Sequence, residues 1–219
     1  MNLRAKRHLL LLTSILSLFI LTPALVALHH GVLFLNVIAA IVFLAGSYTV
    51  IEQKRLFLVA IVLSIVSIAT TWMLLIFRQH WAVITSHGCL ALLLAFFAIV
   101  ILRYVLEGGR VIADKIFAAV CVYMLIGYTF AFAFALLEEI QPGAFTITVP
   151  VGPNDYVERV MQMRYFSFIT LTTLGFGDIV PKSSAARTMA ALEGVVGQIY
   201  LTVLVARLVG LHIVHTSRR

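Results

Sequence analysis

The chain has 219 residues, 62% of them hydrophobic and only 11% charged, with a mean hydropathy of +1.08. Soluble domains carry about 25% charged residues, so this composition excludes a soluble enzyme or scaffold and points to an integral membrane protein. The formal charge of +7 does not indicate nucleic acid, because Lys and Arg cluster in short loops beside apolar runs, where they report topology.

Six apolar spans follow one another, each about 20 residues or more, enough to cross a ~30 Å hydrocarbon core. Arg4, Lys6 and Arg7 precede the first, His8–Leu28. Its end, Ala24-Leu25-Val26-Ala27, mimics a secretory cleavage site, but we read it as an uncleaved span with Pro23 near its end, where a break costs little. The others are Val32–Ile51, Leu56–Phe77, Ala82–Leu106, Ile116–Leu137 and Thr188–Val214. Cys89 and Cys121 both lie in apolar runs and read as free thiols without a disulfide or metal spacing.

Orientation follows from the placement of cations. With the N-terminus inside, Arg4, Lys6, Arg7, Lys54, Arg55, Arg103, Arg110, Lys115, Arg207, Arg218 and Arg219 are cytoplasmic, and Arg78, Arg159, Arg164, Lys182 and Arg187 are external. The bias places both termini in the cytoplasm. Trp72 and Trp81 then sit near one interface, and His29, His30 and His80 at the outer surface. The fourth span carries no cation until Arg103. A voltage sensor needs repeated cations, because each gating charge contributes only about 2.3 kcal/mol per 100 mV, so Arg103 reads as a boundary marker. The linker Arg103–Lys115 reads as a helix end, a Gly108-Gly109 break and a short cytoplasmic segment.

The chemistry concentrates in Glu138–Pro181. Pro142, Gly143, Pro150, Gly152 and Pro153 mark an external loop. Asn154 or Asp155 offers an N-cap with Glu158 close to a capping box. The helix that follows, of about 16 residues and roughly 24 Å, is too short to span but long enough to enter the membrane. Its C-terminal end, partially negative, favours a cation near the bilayer centre. Then comes Thr172-Thr173-Leu174-Gly175-Phe176-Gly177-Asp178, a polar run whose glycines accept unusual backbone angles. Irregular backbone survives at depth only where protein or a water-filled path surrounds it. Four copies around an axis would form stacked rings of carbonyl oxygens able to replace a cation's hydration shell.

Thr173-Leu174-Gly175-Phe176-Gly177-Asp178 resembles the potassium-channel signature, Thr-Val-Gly-Tyr-Gly-Asp, with Leu and Phe as departures. Tyr165-Phe166-Ser167 through Thr172 resembles the family's pore helix, Asp178-Ile179-Val180-Pro181 and Arg187 its outer mouth, and Gly197 stands where its inner helix often has a hinge. The resemblance extends over roughly residues 116–214, and the first four spans match in number and topology only. It implies a bacterial six-span, single-pore potassium channel without a charged voltage sensor or regulatory domain. It implies that K⁺ binds the carbonyls of Thr173, Leu174, Gly175 and Phe176 within a filter reaching Gly177. Thr172 packs behind that filter, Asp178 stands at its mouth, and Tyr165 braces Asp178. Where some family members place a Glu behind the filter this chain has Ile169, so no carboxyl–carboxylate pair is expected there. Phe176 lacks the tyrosine hydroxyl that normally braces the filter.

In the last span Glu193 is a carboxylate at membrane depth, a functional hypothesis by default. It is either a buried acid bonded to the pore helix or the fifth span, or a gating or pore-facing group. Gly197 is a hinge or a packing glycine, in competition with Gly194 and Gly210. If Gln198 faces the cavity, Leu201 and Val205 share its wall, and Glu193 falls about 140° away. Arg207 snorkels to the cytoplasmic headgroups or pairs with Glu107 or Asp114.

The expected architecture is all-α. Residues 1–110 form a four-helix peripheral domain resembling an uncharged voltage-sensor domain. Residues 111–219 form a pore domain with helix 116–137, outer loop 138–154, pore helix 155–172, filter 173–178 and helix 188–214. One filter per chain cannot close a ring, so the working unit is a homotetramer in the inner membrane, with K⁺ as the permeant ion and no nucleic-acid partner. No Ser/His/Asp, metal or phosphate-loop constellation appears, so an enzyme is disfavoured. A weakly selective cation channel, a cation transporter of the potassium-uptake type and a non-conducting accessory subunit are the alternatives.

Overall fold

The computed structural model describes residues 5–26, 28, 31–77, 79–107, 113–148 and 156–216. Four helices come first: α1 (Ala5–Val26), α2 (Gly31–Thr49), α3 (Lys54–Phe77) and α4 (His80–Leu106). There follow α5 (Ala113–Ile140), β1 (Phe145–Ile147), α6 (Tyr156–Leu171), β2 (Ile179–Pro181) and α7 (Ser184–Thr216). Six of the helices, all but α6, are long and apolar enough to cross a membrane. Each is apolar around its whole circumference, as lipid-facing helices are. Ile20, Leu58, Ile76 and Leu92, for example, lie on the outside.

Helix positions agree with the apolar runs to within a few residues, and the ends differ for local reasons. Pro23 lies inside α1 rather than ending it. α5 runs on through Glu138 and Glu139 to Ile140, because polar residues at a helix end face the interface and do not oppose helix formation. α7 begins at Ser184, with Ser183 Oγ accepting from the Ala186 amide at 3.1 Å as an N-cap. The expected Asn154 or Asp155 cap, the Gly108-Gly109 break and the His29-His30 turn lie outside the described residues.

Lipid supplies no hydrophobic force to pull helices together, so small and hydroxyl side chains do that work. Gly46 in α2 lies under the Phe97 ring of α4. Ser47 and Ser64 join α2 to α3 at 3.3 Å, and Ser67 donates to the Cys89 carbonyl of α4 at 3.3 Å. The main core lies where α4 and α1 meet α5, around Leu11, Ile15, Leu93, Phe97, Val122 and Leu125. A second, aromatic core of Phe134, Phe145 and Phe166 joins α5, β1 and α6 through edge-on ring contacts.

Apolar patterning did not signal the two short strands. β1 and β2 pair antiparallel, with Thr146 opposite Val180. They tie the loop after α5 to the chain just past Asp178. Glu138 at the end of α5 accepts from the amides of Gly143 (2.8 Å) and Phe145 (3.1 Å), and Gly143 takes a φ of 82° in that turn.

Candidate functional site

α6 ends at Leu171, and the chain turns back on the helix's last carbonyls. The Thr173 amide donates to Thr170 O at 2.9 Å, and the amides of Leu174 and Gly175 donate to Ile169 O at 2.8 and 3.3 Å. These bonds satisfy carbonyls that a helix terminus leaves orphaned. They also occupy the backbone donors of Thr173, Leu174 and Gly175. Every second residue is left-handed: Thr173 (φ 60°), Gly175 (φ 53°) and Gly177 (φ 81°). Alternating handedness gathers successive N–H groups on one side of the chain and leaves the carbonyls to the other. Among the described residues, nothing donates to the carbonyls of Thr173 through Gly177. A left-handed Thr is uncommon and costs of order 1–3 kcal/mol. Residues 172–177 are all exposed in the single chain, Leu174 by 62% and Phe176 by 68%. A row of unmet acceptors at the negative end of a helix is suited to a bare cation.

Behind this run, the Tyr165 phenol of α6 and the Asp178 carboxylate are near enough to interact. Asp178 Oδ1 is buried with no partner among the described residues. Its backbone carbonyl accepts from both the amide (3.0 Å) and the hydroxyl (2.8 Å) of Thr148, just after β1. Thr172 Oγ1 turns back to Phe168 O at 2.7 Å. Ile169 is buried between α6 and the polar run.

Two glycines seat α6 between its neighbours. A methyl group on Gly127 of α5 would fall 2.8 Å from the Phe168 ring, and one on Gly197 of α7 would fall 2.5 Å from Leu171 O. Gly197 therefore acts as a close-packing glycine against the end of α6, whereas Gly194 has only Thr170 O, at 3.9 Å. Tyr123 of α5 adds a bond to Leu171 O at 3.3 Å. Glu193 is fully buried on this same face of α7, with Ser167 Oγ 2.5 Å from its Oε1 and 2.6 Å from Gly127 O. Three elements thus converge on one serine.

An adjoining face of α7 carries Gln198, Leu201 and Val205, all exposed in the single chain. Glu193, Gly197 and Tyr200 point inward, so the acid lies off the Gln198 face. Arg207 bonds the backbone carbonyl of Glu107 and not a carboxylate of Glu107 or Asp114. Lys115 donates to the same carbonyl at 2.8 Å. Two cations there complement the negative end of α4.

Asp114 is occupied elsewhere, and sequence reasoning missed it. It is buried with His8 Nδ1 at 2.9 Å and Tyr104 Oη at 2.6 Å, joining the starts of α1 and α5 to the end of α4. The available signal was three polar residues at the same membrane boundary. Also missed was the direction of Arg164. It donates to Thr22 Oγ1 of α1 at 2.9 Å.

Among the described residues, six helices are long and apolar enough to cross a membrane, and the short α6 ends on a run whose carbonyls have no donor. Residues 143–211 match the family model described as Ion channel, a stretch that takes in β1, α6, the polar run, β2 and most of α7. No curated protein and no solved structure matches the chain.

Proposed function

We propose that the chain is one subunit of a homotetrameric, K⁺-selective channel, with Thr173-Leu174-Gly175-Phe176-Gly177 as its filter. The supporting observation is that the amides of Thr173, Leu174 and Gly175 are spent on the end of α6 while, among the described residues, the carbonyls of the run have no donor. Four such runs around an axis give rings of oxygen that replace the hydration shell of an alkali cation, and repulsion between ions in successive sites drives conduction. α6 enters from outside as the pore helix and aims its negative end at the ions. Thr172, Tyr165 and Asp178 hold the filter from behind, and Gln198, Leu201 and Val205 line the cavity below it. Both termini face the cytoplasm of a cell whose inner membrane holds the channel. Without a ladder of cations in α4, gating does not run through a voltage sensor.

Purified protein in planar bilayers under opposed K⁺ and Na⁺ gradients tests this. Reversal near the K⁺ potential is expected, with native mass spectrometry giving four subunits. Reversal midway between the two potentials would favour the weakly selective cation channel. Absence of current from an assembled tetramer would favour the accessory subunit.

A further inference from the structure

A cavity of about 940 Å³ lies beside α6, away from the polar run, bounded by parts of α1, α2, α3, α4, α5 and α6. This is near the top of the ~300–1,000 Å³ range of small-molecule sites. Most of its wall is apolar, with Ile15, Leu35, Val42 and Leu94 among the lining residues. Val32 and Trp72 line it too and are themselves exposed, by 36% and 45%, so the space opens on the outside of the helix bundle between α2 and α3.

Its ionic groups do not balance. Arg159, Arg164 and Glu139 all line it. The single carboxylate is engaged by Arg159 at 3.7 Å and by His80 at 3.2 Å. Among the described residues, Arg164 has only neutral neighbours: the Thr22 hydroxyl at 2.9 Å, the Phe19 ring 5.2 Å from its guanidinium carbon, and the Tyr128 phenol. A guanidinium without a counter-anion beside an apolar chamber is costly. Arg164 lies eight residues into α6, about 12 Å from its start, and Thr22 lies about 6 Å from the end of α1. That depth suits the boundary between headgroups and acyl chains.

We infer that this cavity binds an anionic phospholipid of the outer leaflet, its phosphate on Arg164 and an acyl chain along the apolar wall between α2 and α3. Guanidinium and phosphate match in geometry as well as charge. The site does not depend on the chain conducting ions, and its test does not read current.

Trp72 is a reporter within the cavity wall once Trp81 is replaced. The W81F protein is placed in phosphatidylcholine vesicles containing increasing fractions of brominated phosphatidylglycerol or, separately, brominated phosphatidylcholine. Trp72 fluorescence should be quenched at about fivefold lower mole fraction by the anionic lipid, the advantage expected of one arginine. R164Q in the same background should bring the two curves together, and R164K should keep part of the preference. A39F, which fills the chamber from α2, gives the same reading should R164Q fail to assemble. Equal quenching by both lipids in W81F, or a preference that survives R164Q or A39F, overturns the inference. Quenching by neither lipid marks the cavity as covered by a second copy of the chain and overturns it as well.

Discussion

Ser167 of α6 and Glu193 of α7 meet at 2.5 Å in a site closed to solvent, and the same serine oxygen lies 2.6 Å from the Gly127 carbonyl of α5. A hydroxyl has one proton and cannot donate to two acceptors at once. A donor on the Glu193 side completes the set. S167A removes a side chain bonded to that acid, whose Oε2 has no partner among the described residues. It should destabilise by about 1–3 kcal/mol, read as a lowered melting temperature in detergent. E193Q supplies an amide donor and should melt close to wild type with unchanged conductance. A large conductance change in an assembled E193Q tetramer would show that the acid acts on the ions and not on packing.

Gly197 and Gly194 separate packing from hinge motion. G197A places a methyl 2.5 Å from Leu171 O and 2.8 Å from its Cδ1, whereas G194A meets nothing closer than 3.9 Å. Overpacking of this kind costs about 1–3 kcal/mol. G197A should therefore lower the melting temperature and reduce K⁺ flux from loaded vesicles, and G194A should do neither. Equal melting of the two variants would return Gly197 to the role of hinge.

Phe176 is the departure from the potassium-channel signature with the clearest consequence. It has no hydroxyl with which to bond the surrounding structure, so the proposed filter is held by Tyr165, Asp178 and the bonds from Ile169 and Thr170. F176Y should prolong open-state current in single-channel records. Unchanged open times would show that the hydroxyl adds nothing here.

Removing the phenol that reaches Asp178 should have the opposite effect. Y165F leaves a carboxylate whose Oδ1 is already buried without a partner. Current in Y165F should decay faster than wild type during sustained recording. A decay identical to wild type would assign the bracing of Asp178 to the β1–β2 hairpin alone.

Asp114 holds the starts of α1 and α5 to the end of α4 through His8 and Tyr104. D114A strips both partners at a buried site and should cost about 3–5 kcal/mol, as breaking a buried pair does. Y104F removes one bond to a charged group and should cost about 1.5–3 kcal/mol. Melting curves in one detergent give the order, and a Y104F loss equal to that of D114A would place the stabilisation in Tyr104 rather than in the His8 pair.

The six long helices were legible as apolar runs because a helix must satisfy its own backbone in lipid, and that constraint is local. The α6 helix was legible by its length and the absence of Pro and Gly. Other features were not. The β1–β2 pairing brings Thr146 to Val180 across a sequence separation of 34, and no local pattern records such a partner. Arg164 reads as an external cation by count, yet α6 presents it to Thr22 of α1. Arg207 and Asp114 looked like partners by charge, but each has a different one, since backbone carbonyls and a histidine lay nearer.

By itself the sequence determined that this chain belongs in a membrane, where its helices run, and which seven residues break the apolar pattern. Composition and periodicity suffice for those, because the cost of unpaired backbone in lipid acts residue by residue. Only the tertiary structure decided what each polar group inside the membrane does. It put Glu193 on Ser167, seated Leu171 on Gly197, turned the amides of residues 173–175 onto the end of α6, and left Arg164 facing an apolar chamber. Those outcomes depend on which helices are neighbours and on separations of a few ångströms, and hydrophobic patterning encodes neither.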